Sequence, residues 1–189
     1  MKLSPFQLMI VELLLKKTRA ETAEKVIKEF VKEFPSNNKL RKAHHKKIYS
    51  KIACLGLGKQ RTRAIREISN FLHNNYKNKF PNRVEEIEKI PHLGMYIKNA
   101  IMCFAFNQSY SILDVNTSRI ISRFYGMENS IDLRRNYELQ RQADELVPRK
   151  NVKEYNWGLL DLGAQVCRPK PLCNICPVKR KCNFFIMGN

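Results

Sequence analysis

Apolar residues recur along this chain at helical spacing, and nowhere do they alternate as in a strand. Phe6, Met9/Ile10 and Leu13/Leu14 share one face of a first helix. It is opened by Ser4-Pro5-Phe6-Gln7, a capping box with proline at the first helical position. Thr18-Arg19-Ala20-Glu21 reads as a second capping box. The helix it opens carries Ala23, Val26/Ile27, Phe30/Val31 and Phe34 on one face and stops at Pro35. A basic helix is predicted over about 39–53, then a turn at Gly56-Leu57-Gly58, then a helix with Ile65, Ile68 and Phe71/Leu72 inside. Residues 74–82 form a polar connector, and Val84, Ile87 and Ile90 mark a short helix. Pro91-His92-Leu93-Gly94 breaks that helix before another resumes over 96–106. An extended link, 109–113, leads into Asp114, followed by helices at about 116–125, 137–146 and 152–166. There is no internal repeat and no low-complexity tract, so the fold class is all-α.

Charge changes the picture more than composition does. The chain has 189 residues, enough for one domain or two small ones. Its 35 basic and 17 acidic residues leave a formal charge of +18, which repels itself and calls for a polyanionic partner. A nucleic acid is the first candidate and a membrane surface the second. No stretch is long enough to span a bilayer, and the first helix lacks the cleavage site of a signal peptide. A cytoplasmic or nucleoid location, no membrane partner and a monomeric chain are expected. A reducing compartment disfavours disulfides and favours metal ligation by cysteine. Cys54 and Cys103 have apolar neighbours and read as core residues.

Three constellations could carry chemistry. Ile90-Pro91-His92-Leu93-Gly94-Met95-Tyr96 joins two helices by a tight turn. It is either an ordinary helical hairpin or one whose backbone N–H groups face a phosphate. Asp114 follows Ile112-Leu113 and precedes a helix, which suits a plain N-cap or a carboxylate held beside a cationic transition state. Cys167, Cys173, Cys176 and Cys182 have the spacing C-x5-C-x2-C-x5-C, and Arg168, Lys170 and Lys179–Lys181 lie among them. Zinc sites usually show two paired-cysteine arms across a longer loop. One close pair on a compact loop fits a [4Fe–4S] cluster better, with zinc as the alternative.

Taken together these motifs resemble the helix-hairpin-helix DNA glycosylases, the superfamily of endonuclease III and the mismatch adenine glycosylases. The resemblance rests on Ile-Pro-x-Leu-Gly, Leu-Asp-Val-Asn-x-x-Arg, and Leu-Leu-Asp-Leu-Gly-Ala-x-x-Cys leading into the four-cysteine loop, in order over essentially the whole chain. It implies two helical subdomains with the active site in the cleft between them. The first is a helical barrel, 1–108, with the hairpin motif at 84–106. The second, 109–189, carries the [4Fe–4S] loop at 167–182.

The same resemblance implies the roles. Glu12, in Glu-x-x-Leu-x-x-Thr, matches the catalytic glutamate of one branch, and Asp114 the catalytic aspartate. Tyr96 stands where the backbone-cutting branch has a nucleophilic lysine. Lys98 lies about 200° further round the helix and reads as a solvated lysine. Glutamate with tyrosine looks most like the glycosylases that remove thymine or uracil mispaired with guanine, without lyase activity. The alternatives are adenine removal opposite guanine or oxidised guanine, and a non-catalytic DNA-binding module with a structural metal loop. Adenine glycosylases usually carry a further C-terminal domain; with seven residues after Cys182, that domain is expected to be absent here.

The expected partner is double-stranded DNA with a mismatched or damaged base. His92, Leu93 and Gly94 would grip phosphates together with Arg168 and Lys170, and Leu57 or Gln60 would wedge into the base stack. Four features depart from the family pattern. His92 replaces the first hairpin glycine, the first cysteine gap is x5 where x6 is usual, Lys16-Lys17 replaces paired glutamines or arginines, and the family's extra N-terminal helix is expected to be missing, with Glu12 unusually near the start.

Overall fold

The computed structural model describes residues 3–16, 18, 20–127 and 137–188, with the backbone alone for 20–22. The described residues contain helices and turns and no β-strand. They form two compact units, Met1–Ile101 and Met102–Asn189.

The first unit begins with α1, Pro5–Leu15, whose start follows the predicted capping box: the Ser4 hydroxyl accepts from Gln7 N and the Gln7 side chain accepts from Ser4 N. Its apolar face buries Met9, Ile10 and Leu14. α2, Ala20–Glu33, packs on α1, burying Ala23, Ile27, Phe30 and Val31, and ends just before Pro35. The expected capping box at 18–21 includes Arg19, which lies outside the described residues.

The single basic helix expected over 39–53 is two helices, α3 (Asn37–Lys42) and α4 (His45–Ile52). Ala43 turns extended (φ −75°, ψ 140°), and the His44 ring accepts from Lys46 N to cap α4. A side-chain cap in mid-run outweighs the continuing periodicity. Both helices rest on α5 (Gly58–Tyr76) through Leu40, Ile48 and Ile52. Cys54 is exposed, contrary to expectation, because the 3-10 turn Ala53–Leu55 buries Leu55 in its place; Cys103 is buried as expected. The unit closes with α6 (Val84–Ile87) and α7 (Met95–Phe104), and the division between units falls inside α7.

The second unit holds α8 (Val115–Tyr125), α9 (Tyr137–Glu145), α10 (Val152–Gln165) and α11 (Asn183–Ile186). The link 109–113 forms no ladder, so side chains satisfy its backbone: Asp144 accepts from Ser111 N and Asn156 from Ile112 N. α8 and α10 pack closely because Gly163 lacks a side chain; a Cβ there would lie 2.8 Å from the Asn116 Cβ. No described helix is long and apolar enough to cross a membrane.

Candidate functional site

In the first unit α1 presents Glu12 and the first turn of α7 presents Tyr96. Glu12 is mostly buried, and burial pushes its carboxyl from the ordinary 4.5 up to about 7. A hydrogen bond from the Tyr96 hydroxyl pulls the other way and is the weaker effect. The two residues drawn from separate motifs are therefore in contact. A carboxyl in that range can both give and take a proton near neutrality.

The hairpin turn puts His92 at φ +64°, a left-handed conformation that costs a non-glycine residue of order 1 kcal/mol. A hydrogen bond between its Nε2 and the Glu67 carboxylate of α5 holds the ring there. Glu67 also takes Arg63 Nε at 2.7 Å. His92 and Gly94 are exposed, Leu93 is half-buried, and Gly94 has open space around it. Lys98 is not the solvated lysine expected: its side chain is 18% exposed and its Nζ donates to Glu88 at 2.8 Å.

Leu57 has φ +53° and is 48% exposed, at the tip of the turn before α5. Gln60 is exposed in the first turn of that helix. Beneath them lies a residue sequence reasoning missed. Arg61 is 5% exposed and its guanidinium donates to Lys16 O (2.7 Å), the Thr18 hydroxyl (2.6 Å) and Leu55 O (3.3 Å). It ties the turn after α1 to the turn carrying Leu57. Burial lowers its pKa, and its hydrogen-bond partners among the described residues are neutral oxygens. Nothing in the local sequence sets Arg61 apart from the exposed arginines around it.

In the second unit Asp114 is the N-cap of α8. Its Oδ1 accepts from Asn116 N and Thr117 N, both at 2.8 Å, and from the Thr117 hydroxyl at 3.0 Å. Every one of these bonds falls on one oxygen, so Oδ2 has no hydrogen-bond partner among the described residues. The N-cap reading and a free carboxylate oxygen hold together.

α8 also carries the cysteine loop. Arg119, the arginine of the Leu-Asp-Val-Asn-x-x-Arg motif, donates to Cys167 O (2.9 Å), Asn116 Oδ1 (3.0 Å) and Gly163 O (3.1 Å). Arg123 donates to Arg168 O (2.7 Å) and Pro169 O (2.8 Å), lies 3.6 Å from Cys167 Sγ and stacks over Phe184. All four cysteines, with Arg123, Leu172 and Phe184, line one small recess that opens to solvent. Burial first, then the neighbouring Cys176, Cys167 and Cys182 thiols, raise the pKa of Cys173, a mark of mutual proximity. Among the described residues no three His, Cys, Asp or Glu side chains gather closely enough to grip one ion. Arg168 and Lys170 are exposed on the loop.

Comparison with known proteins agrees in both sequence and fold. A family model described as HhH-GPD superfamily base excision DNA repair protein matches residues 10–149. The thymine/uracil-DNA glycosylase of Methanothermobacter thermautotrophicus is 30% identical over 183 residues, 96% of this chain and 82% of that protein. The adenine DNA glycosylase of Buchnera aphidicola subsp. Baizongia pistaciae is 31% identical over 98% of this chain, which spans only 52% of that relative. The solved structure of a thermostable thymine-DNA glycosylase superposes with a TM-score of 0.90 at 29% identity, over 97% of this chain and 85% of that one. The chain belongs to the HhH-GPD superfamily of base excision DNA repair proteins.

Proposed function

We propose that this chain is a DNA glycosylase that hydrolyses the N-glycosidic bond of thymine or uracil mispaired with guanine, without cutting the backbone. The observation that carries the reading is the Glu12–Tyr96 pair: a buried carboxyl with a pKa of about 7, in contact with a tyrosine where the lyase branch of the resembling family has its lysine. The similarity to a thymine/uracil glycosylase over 82% of its length supports the target base.

The base must leave the stack before its bond can be reached, and a mispaired base leaves at lower cost. As the bond lengthens, positive charge grows on the sugar. Asp114 Oδ2, held in orientation through Oδ1, would stabilise that charge. Glu12 in its protonated form would give its proton to the departing base, water would add to C1′ of the sugar and pass its proton back to the Glu12 carboxylate, and Tyr96 would line the pocket. Hairpin amides at Leu93 and Gly94, with Arg168 and Lys170, would hold phosphates, and Leu57 would enter the vacated space.

Cys167, Cys173, Cys176 and Cys182 would hold a [4Fe–4S] cluster. The four thiols line one recess, and their spacing, one close pair on a compact loop, suits a cluster better than a lone zinc ion. The cluster would supply rigidity to the basic loop, and no bond-breaking step is assigned to it.

The test is base release from duplexes carrying T·G, U·G, A·G and A·oxidised-guanine pairs, followed by alkaline cleavage at abasic sites. Release from T·G and U·G is expected, with no borohydride-trapped adduct. Release confined to the adenine pairs would favour the adenine reading, which the Buchnera relative supports.

A further inference from the structure

The basic run around α3 and α4 has no part in the site described above. Residues 34–66 contain ten lysines and arginines and not one aspartate or glutamate. Leu40, Ile48 and Ile52 face inward, and Lys39, Arg41, Lys42, His44, His45 and Lys46 are exposed. Glu33 of α2 pairs with both Lys47 and Lys51, at 2.7 Å each, and offsets one of their two charges. Among the described residues no carboxylate pairs with Lys39, Arg41, Lys42 or Lys46.

Helix electrostatics do not explain this distribution. Cations in the last turn of α3 suit its negative end. Lys46 and Lys47 lie in the first turn of α4, which has no acidic residue, and there a cation opposes the helix dipole. The sequence thus bears an electrostatic cost that an anion lying across the surface would relieve. The face is also continuous with the Leu57 turn. Tyr49 of α4 is 38% exposed, and its ring packs over Gly58, 3.0 Å from where a Cβ would stand.

We infer that the exposed face of α3 and α4 is a second DNA-backbone site, gripping phosphates of undamaged duplex beyond the mispair. This rests on the glycosylase reading for its partner, since continuity with the Leu57 turn is what selects DNA over an anionic membrane. Phosphate contacts release counterions, so they are counted by the salt dependence of binding.

The experiment measures affinity for a T·G duplex across a range of salt, in wild type and in the triple variant Arg41→Gln, Lys42→Gln, Lys46→Gln. The slope of log K against log salt is expected to fall by roughly two to three in the variant. Single-turnover base release at saturating protein should stay unchanged, which also reports an intact fold. An unchanged slope overturns the proposal. So does capture by phosphatidylglycerol vesicles that the variant loses while its DNA slope is kept. A wild type that binds but releases no base contradicts the glycosylase reading and leaves the slope comparison readable, so the two failures are distinct.

Discussion

At the scale of single residues, Glu12 makes the sharpest prediction. Its folded-state pKa of about 7 lies above its ordinary 4.5, so the folded chain holds the proton more tightly than the unfolded one. Its contribution to stability is therefore complete below pH 4.5 and is lost as pH rises through 7. Glu12→Gln does not titrate. It should be more stable than wild type at pH 8, by at most about 3 kcal/mol, and no more stable at pH 4. The same substitution should slow base release by roughly 10²- to 10⁴-fold and abolish the wild-type decline in rate above pH 7. Melting curves and single-turnover rates at several pH values check both. A Glu12→Gln protein that is no more stable at pH 8 would mean that the carboxyl is not buried. The residue itself was legible in Glu-x-x-Leu-x-x-Thr, but its burial was not, because burial comes from residues distant in sequence. Cys54 and Lys98 were misread for that reason: apolar neighbours in sequence do not bury a residue on a 3-10 turn, and helix phase does not reveal Glu88 within reach of an ammonium.

At the scale of elements, α8 joins the candidate carboxylate to the cysteine loop. Asp114 caps its N-terminus, and Arg119 and Arg123 on its side hold the cysteine loop. α10 reaches α8 at Gly163, beside Asn116 and two residues from the cap. Gly163→Ala gains helix propensity of about 1 kcal/mol. It also sets a Cβ at 2.8 Å from another Cβ, a contact no rotamer relieves, so a net destabilisation of about 1–3 kcal/mol is expected. Base release should fall with it as α8 shifts, and denaturant melts with single-turnover assays would measure the pair. Neutral stability with unchanged rate would show that the two helices separate freely. Helix existence was legible here because caps and apolar spacing are local: Ser4, Pro5, Pro35 and Asp114 all mark ends as read. The break at Ala43-His44 was not, since a histidine acting as an N-cap has no strong sequence signature. The Arg61 and Arg119 ties were hidden because bonds from a guanidinium to backbone oxygens leave no pattern in sequence.

At the scale of the whole molecule, the +18 charge and the cysteine spacing gave the class of partner and the candidate cluster, and both bear on binding more than on bond cleavage. A purified protein should show a broad absorbance near about 400 nm, as iron–sulfur charge transfer gives and zinc does not. Stripping the cluster with chelator and oxidant should weaken DNA affinity by loosening Arg168 and Lys170, and leave the rate at saturation within a few-fold. A colourless, fully active protein with stoichiometric zinc would reject the cluster. The central claim concerns the carboxylates instead, and one measurement meets it directly: single-turnover thymine release from a T·G duplex by wild type and by Asp114→Asn. The variant keeps the shape of the cap and loses the negative charge. Wild type should release thymine, and Asp114→Asn should bind the duplex with similar affinity while releasing it at least about 10²-fold more slowly. Equal rates in the two proteins would contradict the account.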